Sequence, residues 1–163
     1  MLTGEEIRNR GIVAPGSDLP AEQVQPNGID LSLDMVWRIV GPGTLGVSDA
    51  DRHLPDRDPI SFGDQGWVML GPGTYGIRYC ESVVLPPDCG GLAFPRSSLL
   101  RMGAHIPTAV WDAGYGGRGE SLLIVTNQDG IRLQRGTRIA QLVVFGLSGH
   151  TTGYVGQYQS ENL

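Results

Sequence analysis

An all-β sandwich or barrel is the fold class this sequence predicts, and three observations carry that reading. Gly at 25 and Pro at 11 among 163 residues supply turns at a density that disfavours a helical bundle. In "IDLSLDMVWRIV", positions 29, 31, 33, 35, 37 and 39 are apolar, while Asp30, Ser32, Asp34 and Arg38 point the other way. That period of two predicts a long, half-buried strand. Short runs then recur between turn signals at 67–70, 74–79, 82–85, 90–94, 121–127 and 137–147, the rhythm of a sandwich or barrel.

The start of the chain, "LTGEEIRNRG", predicts a short helix. Thr3 and Glu6 have the spacing of a capping box, and Gly11 can end the turn. Residues 41–66 are rich in Gly, Pro and Asp and read as loop. "SSLLRM" (97–102) suggests one helical turn. The tail "HTTGYVGQYQSENL" lacks a periodic apolar face and is expected outside the core. No repeat, low-complexity block or linker divides the chain. One domain over 1–150, followed by a separate segment at 151–163, is the expected organisation.

Apolar residues make up 40% and charged residues 18%, which places the chain among globular proteins. A net charge of −5 argues against general nucleic-acid binding, which wants a basic surface. An anionic small ligand remains compatible if cations are local. All 12 basic residues are arginine, whose fork matches phosphate better than a point charge does; a compositional bias against lysine explains this equally well. The N-terminus reads as lacking a signal peptide, and no apolar run approaches ~18 residues. Cys80 and Cys89 are then expected as reduced thiols in a cytoplasmic protein, without membrane association. Two cysteines without a CxxC spacing make no zinc site.

The chemistry-bearing residues crowd between Pro95 and Glu120. In "PRSS", a proline turn leading into a short helix would expose backbone N–H groups beside the Arg96 guanidinium and the Ser97 and Ser98 hydroxyls, together an anion site. An ordinary helix cap with a surface arginine is the plainer alternative. Asp112 closes the apolar stretch "TAVW" and could serve as a general base, or simply form an Asx turn. Tyr115 is either a core aromatic or a platform for a ligand. Gly114, Gly116, Gly117 and Gly119 permit close backbone approach but form neither a dinucleotide fingerprint nor a P-loop. His53, His105 and His150 have no ligand spacing. GxSxG and the zinc-deaminase signature are both absent.

Taken in order, these segments resemble the trimeric dUTPase and dCTP deaminase superfamily over nearly the whole chain. "QPNGIDLSL" (25–33) is similar to its first motif and "PRSSL" (95–99) to its phosphate-binding motif. "DAGY" (112–115) is similar to the motif that holds base and nucleoside, and "RGTRIAQLVV" (135–144) to the fourth motif. "GQYQSENL" (156–163) resembles the C-terminal segment of the archaeal-type branch. The resemblance implies a distorted jelly-roll β-barrel and a homotrimer. It also implies active sites between subunits, and a deoxynucleoside triphosphate bound with Mg2+ that is held through the phosphates and water.

Within that superfamily the resemblance implies hydrolysis of dUTP to dUMP and pyrophosphate. Asp112 would be the base, with Arg96, Ser97, Ser98 and Gln141 on the phosphates. The 104–110 segment, with Thr108, Ala109 and Val110, would read uracil through its backbone amides and carbonyls, and Tyr115 would select deoxyribose. Tyr158 and Gln159 would close over the triphosphate from the tail. Arg101 and Arg118 are expected as phosphate or intersubunit partners, and Asp30 as a structural residue. The deaminases place a glutamate three residues before an asparagine; with Asn127 as that asparagine, the position is Ile124. Their Thr-Ala-His is Thr108-Ala109-Val110 here. Both departures favour the hydrolase. The segment from Asp112 to Asn127 is two residues longer than the family pattern, so a bulge could bring Glu120 to the ring as a proton shuttle. A dCTP deaminase, or a bifunctional deaminase–dUTPase, is therefore the alternative on the same fold. A non-catalytic nucleotide-binding module is a third reading, disfavoured by the presence of both Asp112 and Tyr115.

Overall fold

The computed structural model describes residues 1–163, apart from the side chain of Ser17. The helix expected at the N-terminus forms as α1 (Gly4–Asn9). Thr3 Oγ1 accepts from Glu6 N at 3.2 Å while Glu6 Oε2 accepts from Thr3 N at 2.7 Å, a reciprocal capping box. The helix buries Ile7 completely in the core cluster, against β1 and β2.

The strands follow in chain order. They are β1 (Val24–Gln25), β2 (Gly28–Val40), β3 (Asp56–Pro59), β4 (Trp67–Leu70), β5 (Gly73–Tyr79), β6 (Val83–Val84) and β7 (Cys89–Pro95). The five-residue helix α2 (Ser97–Arg101) comes next. It is followed by β8 (Ala104–His105), β9 (Val110–Trp111), β10 (Gly116–Gly117), β11 (Glu120–Val125), β12 (Ile131–Gln134) and β13 (Arg138–Gly146). The main sheet runs β8-β11-β5-β2-β13-β7-β9, with β1 and β3 also paired to β2. Two short two-stranded ribbons, β10-β6 and β12-β4, accompany it. Every pairing is antiparallel. The result is the all-β, distorted jelly-roll barrel with a short N-terminal helix that the sequence led us to expect.

β2 organises this sheet because it changes partners halfway. Ile29–Ser32 pair with β13, whereas Leu33–Arg38 pair with β5. A register shift between Leu33 and Met35 marks the handover. A bulge of this kind bends the strand and lets the sheet curl on itself. It also shifts the alternation. Ile29, Leu31 and Leu33 are fully buried, and so is Val36, while Met35 is half-buried and Ile39 exposed. The strict period-two reading is thus corrected beyond Leu33. Trp37 is released from the core face to the opposite one.

The polar face of β2 is buried too. Asp30, Ser32 and Asp34 are each less than 10% exposed. Asp30 receives Arg96 Nε at 3.0 Å and Arg138 Nη1 at 3.3 Å; Asp34 receives Arg78 Nη2 at 2.7 Å and Arg135 Nη2 at 2.6 Å. Buried Glu81 accepts from Gln23 Nε2, Ser32 N and Ser32 Oγ. Buried carboxylates survive in a core when paired in this way.

Two further expectations are corrected. The 41–66 excursion is not wholly loop, since β3 adds to the far end of β2 and Thr44 bridges His53. The tail is not wholly outside the core either: Tyr154 packs against it. No helix is long and apolar enough to cross a membrane among the described residues.

Candidate active site

A cleft of about 780 Å³ is lined by residues of β2, β3, β5, β9 and β11. Its floor is aromatic. Trp111, 9% exposed, meets Tyr79 at 6.1 Å between ring centroids and Tyr115 edge-on at 5.4 Å. Tyr115 in turn meets Tyr154 of the tail at 6.0 Å. The chain of rings runs from the core to the tail, in the tilted and edge-on geometries that aromatic quadrupoles favour. Two glycines make room for it. A Cβ at Gly119 would lie 2.4 Å from Trp111 Cη2, and one at Gly76 would lie 2.0 Å from Trp37 Cε2.

The polar groups of the cleft come from three parts of the chain. Asp112, at the end of β9, is exposed at the rim. It takes part in none of the ion pairs among the described residues. Arg57 of β3 lies over the Trp37 ring, 4.7 Å from its centroid, and donates to Glu120 Oε1 at 2.6 Å. Glu120 Oε1 also accepts from Asn162 Nδ2 at 3.2 Å. Tyr115 donates its hydroxyl to Glu161 Oε1 at 2.8 Å. Burial, with the neighbouring Glu161 carboxylate, pushes the Tyr115 phenol far above its ordinary value. Burial likewise raises Glu161, reinforced by the Glu120 charge and opposed by the Tyr115 hydrogen bond and Arg57.

The tail follows the 113–120 turn in the same chain. Tyr154 N donates to Ala113 O, and Ser160 N to Gly116 O, each at 2.7 Å. Gln159 both donates to Gly114 O and accepts from Gly116 N, at 3.1 Å each. Arg118 N donates to Glu161 O at 2.9 Å.

The residues singled out in the sequence fall into two groups. Ala109, Val110, Asp112, Tyr115, Glu120 and Tyr158 line the cleft, with Gln159 hydrogen-bonded at its edge. Thr108 does not line it; its Oγ1 accepts from Ala93 N at 3.2 Å and so ties the segment to β7. Arg96, Ser97, Ser98, Arg101 and Gln141 lie elsewhere, at α2 and on β13. Arg96 is engaged by Asp30 and by Arg138 O. Ser97 and Ser98 are exposed, and Arg101 Nη1 reaches Ser97 Oγ at 3.4 Å. Gln141 sits opposite Asp30 across the β2–β13 ladder.

Several lining residues escaped the sequence reading: Trp37, Arg57, Trp111, Tyr154 and Glu161. Trp37 looked like core because the bulge is invisible to a periodicity count. Arg57 sits in "DRDP", which has no apolar alternation. Trp111 ended an apolar run directly before Asp112, and that adjacency was a usable signal. A smaller cavity of about 400 Å³ lies against the first, sharing Val110, Trp111, Asp112 and Tyr154 and walled by Phe145, Leu147 and Val155. Asp112 therefore stands between two hollows.

Comparison with known proteins places the chain in a family. The family model for dCTP deaminase-like proteins matches residues 1–147, and the chain belongs to that family. A probable deoxyuridine 5'-triphosphate nucleotidohydrolase of Archaeoglobus fulgidus is 43% identical over 167 residues, covering 100% of this chain and 98% of its own. A protein of the same description from Methanosarcina mazei is 44% identical over 141 residues, 86% of this chain and 82% of its own. Among solved structures, the 2'-deoxycytidine 5'-triphosphate deaminase of Agrobacterium tumefaciens matches with a TM-score of 0.63 at 25% identity, over 88% of this chain. This chain spans 46% of that deaminase's length.

Proposed function

We propose that this protein is a dUTP diphosphatase that cleaves dUTP to dUMP and pyrophosphate, with Asp112 activating water for attack on the α-phosphorus. The observation that carries this reading is the placement of Asp112. It is exposed, outside the ion pairs, and at the mouth of a cleft floored by Tyr115 and Trp111. The chain is also alike nearly end to end with a relative described as a probable dUTP nucleotidohydrolase.

The remaining parts of the reading follow from what the cleft lacks within one chain. Of its lining residues, Arg57 is the one cation, and Glu120 holds it. A triphosphate needs more positive charge than this. Arg96, Ser97, Ser98 and Arg101 supply it in our reading from a neighbouring subunit of a homotrimer, with Gln141 supporting them. Residues 151–163 form a segment closing over the nucleotide, and Tyr158 lies at the cleft from that segment. Mg2+ keeps waters and binds substrate phosphates more readily than all-protein cages. The donor set fits such an ion: Asp112 is an exposed carboxylate at the rim, open to the waters that a phosphate-bound Mg2+ would carry. Bound with the triphosphate, Mg2+ would neutralise charge that develops on the phosphates. Asp112 would orient the water and take its proton. The free thiols of Cys80 and Cys89 suit a cytoplasmic setting.

Deamination of dCTP is the second reading, favoured by one observation: Glu120 does line the cleft. Against it, both hydrogen bonds to Glu120 Oε1 come from groups holding structure together, Arg57 and Asn162. Ile124, at the deaminases' glutamate position, pairs with His105 on the adjacent strand and is not among the lining residues.

The test is Asp112→Asn, which keeps the shape and removes the base. Pyrophosphate release from dUTP is expected to fall by about 10²–10⁴-fold, while a non-hydrolysable imido analogue of dUTP still binds. Near-normal turnover would make Asp112 a turn residue. Sizing in solution is expected at about three times the 17.5 kDa chain mass, and a fully active monomer would end the shared-site reading.

A further inference from the structure

We propose that Glu161, on the C-terminal tail, is a specificity-determining positioning residue that fixes the Tyr115 ring against the sugar, so that rejection of ribonucleotides depends on a docked tail. The proposal rests on the reading of the cleft as a deoxynucleotide site with Tyr115 beside the sugar.

Tyr115 is 7% exposed and belongs to the core cluster, yet its hydroxyl projects to the tail. There it meets Glu161 Oε1 at 2.8 Å. The ring is held on two other sides by Trp111 and Tyr154, and Tyr154 is itself a tail residue. Two of the three contacts that orient Tyr115 therefore arrive with residues 154–161. Glu161 is delivered to its place by backbone, since its carbonyl accepts from Arg118 N and its amide donates to Tyr158 O. On either side, Ser160 N reaches Gly116 O and Asn162 Nδ2 reaches Arg118 O. A hydrogen bond from a neutral phenol to a carboxylate is among the stronger protein hydrogen bonds.

The consequence for selectivity is steric and polar. A ring fixed at its hydroxyl end cannot swing aside for an extra 2'-oxygen. Its one donor is already committed to Glu161, so a ribose hydroxyl arriving beside the ring would lose water without gaining that donor. With the tail undocked, the ring loses its outer neighbour and its hydroxyl partner together. Selection would then weaken without any change at Asp112.

The experiment compares dUTP with UTP in the full-length protein, by pyrophosphate release and by calorimetric binding of the imido analogues of both. Wild type, Glu161→Ala, Glu161→Gln, Tyr115→Phe and the Glu161→Ala/Tyr115→Phe double variant are used. Glu161→Ala is expected to lower the dUTP/UTP ratio of kcat/KM by about tenfold, the size of one lost charge-assisted hydrogen bond. Most of the change should come from better use of UTP. Glu161→Gln still offers an oxygen acceptor and should retain most of the ratio, a rescue that mere loss of tail packing would not give. Tyr115→Phe should match Glu161→Ala, and the double variant should add little. An unchanged ratio in Glu161→Ala, or full additivity in the double variant, overturns the proposal. A wild type that binds the dUTP analogue but releases no pyrophosphate would sink the hydrolase reading alone, and the calorimetric comparison would still decide the role of Glu161. A wild type that binds neither analogue overturns both.

Discussion

Replacing Gly119 with alanine tests whether the aromatic floor of the cleft is set by backbone approach. The added methyl would lie 2.4 Å from Trp111 Cη2, with Cζ2 at 2.9 Å and Cζ3 at 3.0 Å. Real carbon contacts begin more than half an ångström further out, so ring or strand must shift. Trp111 has little freedom to yield: it is 9% exposed, with Tyr79 on one side and Tyr115 on the other. Overpacking of this kind costs about 1–3 kcal/mol. For a chain of this length that is roughly 2–4 °C of melting temperature per kcal/mol, hence a fall of about 2–12 °C. Thermal melts at fixed protein concentration, needed because oligomers melt concentration-dependently, should be paired with dUTP hydrolysis. Gly149→Ala is the control, because its Cβ would meet nothing within 4 Å. Gly119→Ala should melt lower than this control and hydrolyse more slowly, since the displaced indole pushes on Tyr115. Identical melting and activity in the two variants would refute the packing argument.

Three further outcomes follow from the charges. Asp34→Asn should cost about 2–3 kcal/mol, less than the 3–5 of a fully buried pair because one partner, Arg135, is 62% exposed. Burial works to raise Asp34, but hydrogen bonds from Arg135 and Arg78 outweigh it and hold the carboxyl below its ordinary 3.8. The wild-type advantage should therefore be full at neutral pH and lost only in acid below the ordinary 3.8, as pH falls through the lowered folded-state value; an advantage that persisted once the native carboxyl is protonated would contradict this. Burial, with the charges of Glu81 and Asp34, pushes the Cys80 thiol up to about 11. Iodoacetamide should thus label Cys80 slowly at pH 8 in the native protein and quickly once it is denatured, because the thiolate is the reacting species. Glu120→Gln should weaken the tie between Arg57 and the tail and lower dUTP hydrolysis by several-fold at most, the scale of a partly exposed ion pair. No ammonia is expected from dCTP before or after the change; ammonia release by the wild type that vanished in Glu120→Gln would make the protein a bifunctional deaminase.

Much of the barrel was legible in the chain because its causes are local. Thr3 and Glu6 cap α1 through atoms three residues apart. Ile29, Leu31 and Leu33 face the core because a strand alternates. The motifs around Arg96 and Asp112 could be named because their residue order is itself distinctive. The short pairs β8, β9 and β10 and the four-residue β12 were not legible, since so few residues acquire strand geometry only from a partner. β3 escaped for a related reason: all four of its residues are exposed, so no apolar pattern marks them.

The division between sequence and tertiary structure is clearest at the cleft. The sequence by itself determined the all-β class, the capped first helix and the polar cluster between Pro95 and Glu120. Spacing and alternation encode these, and they need no distant partner. Tertiary structure alone decided that Trp37, though buried, lines the cleft beneath Arg57, because a bulge shifts the strand's phase without leaving a mark in composition. It alone brought Arg57 to Glu120 across 63 positions and Glu161 to Tyr115 across 46. Such pairs form only after β2 has changed partners and the sheet has curled, since side-chain contacts at that separation depend on the path of the whole backbone.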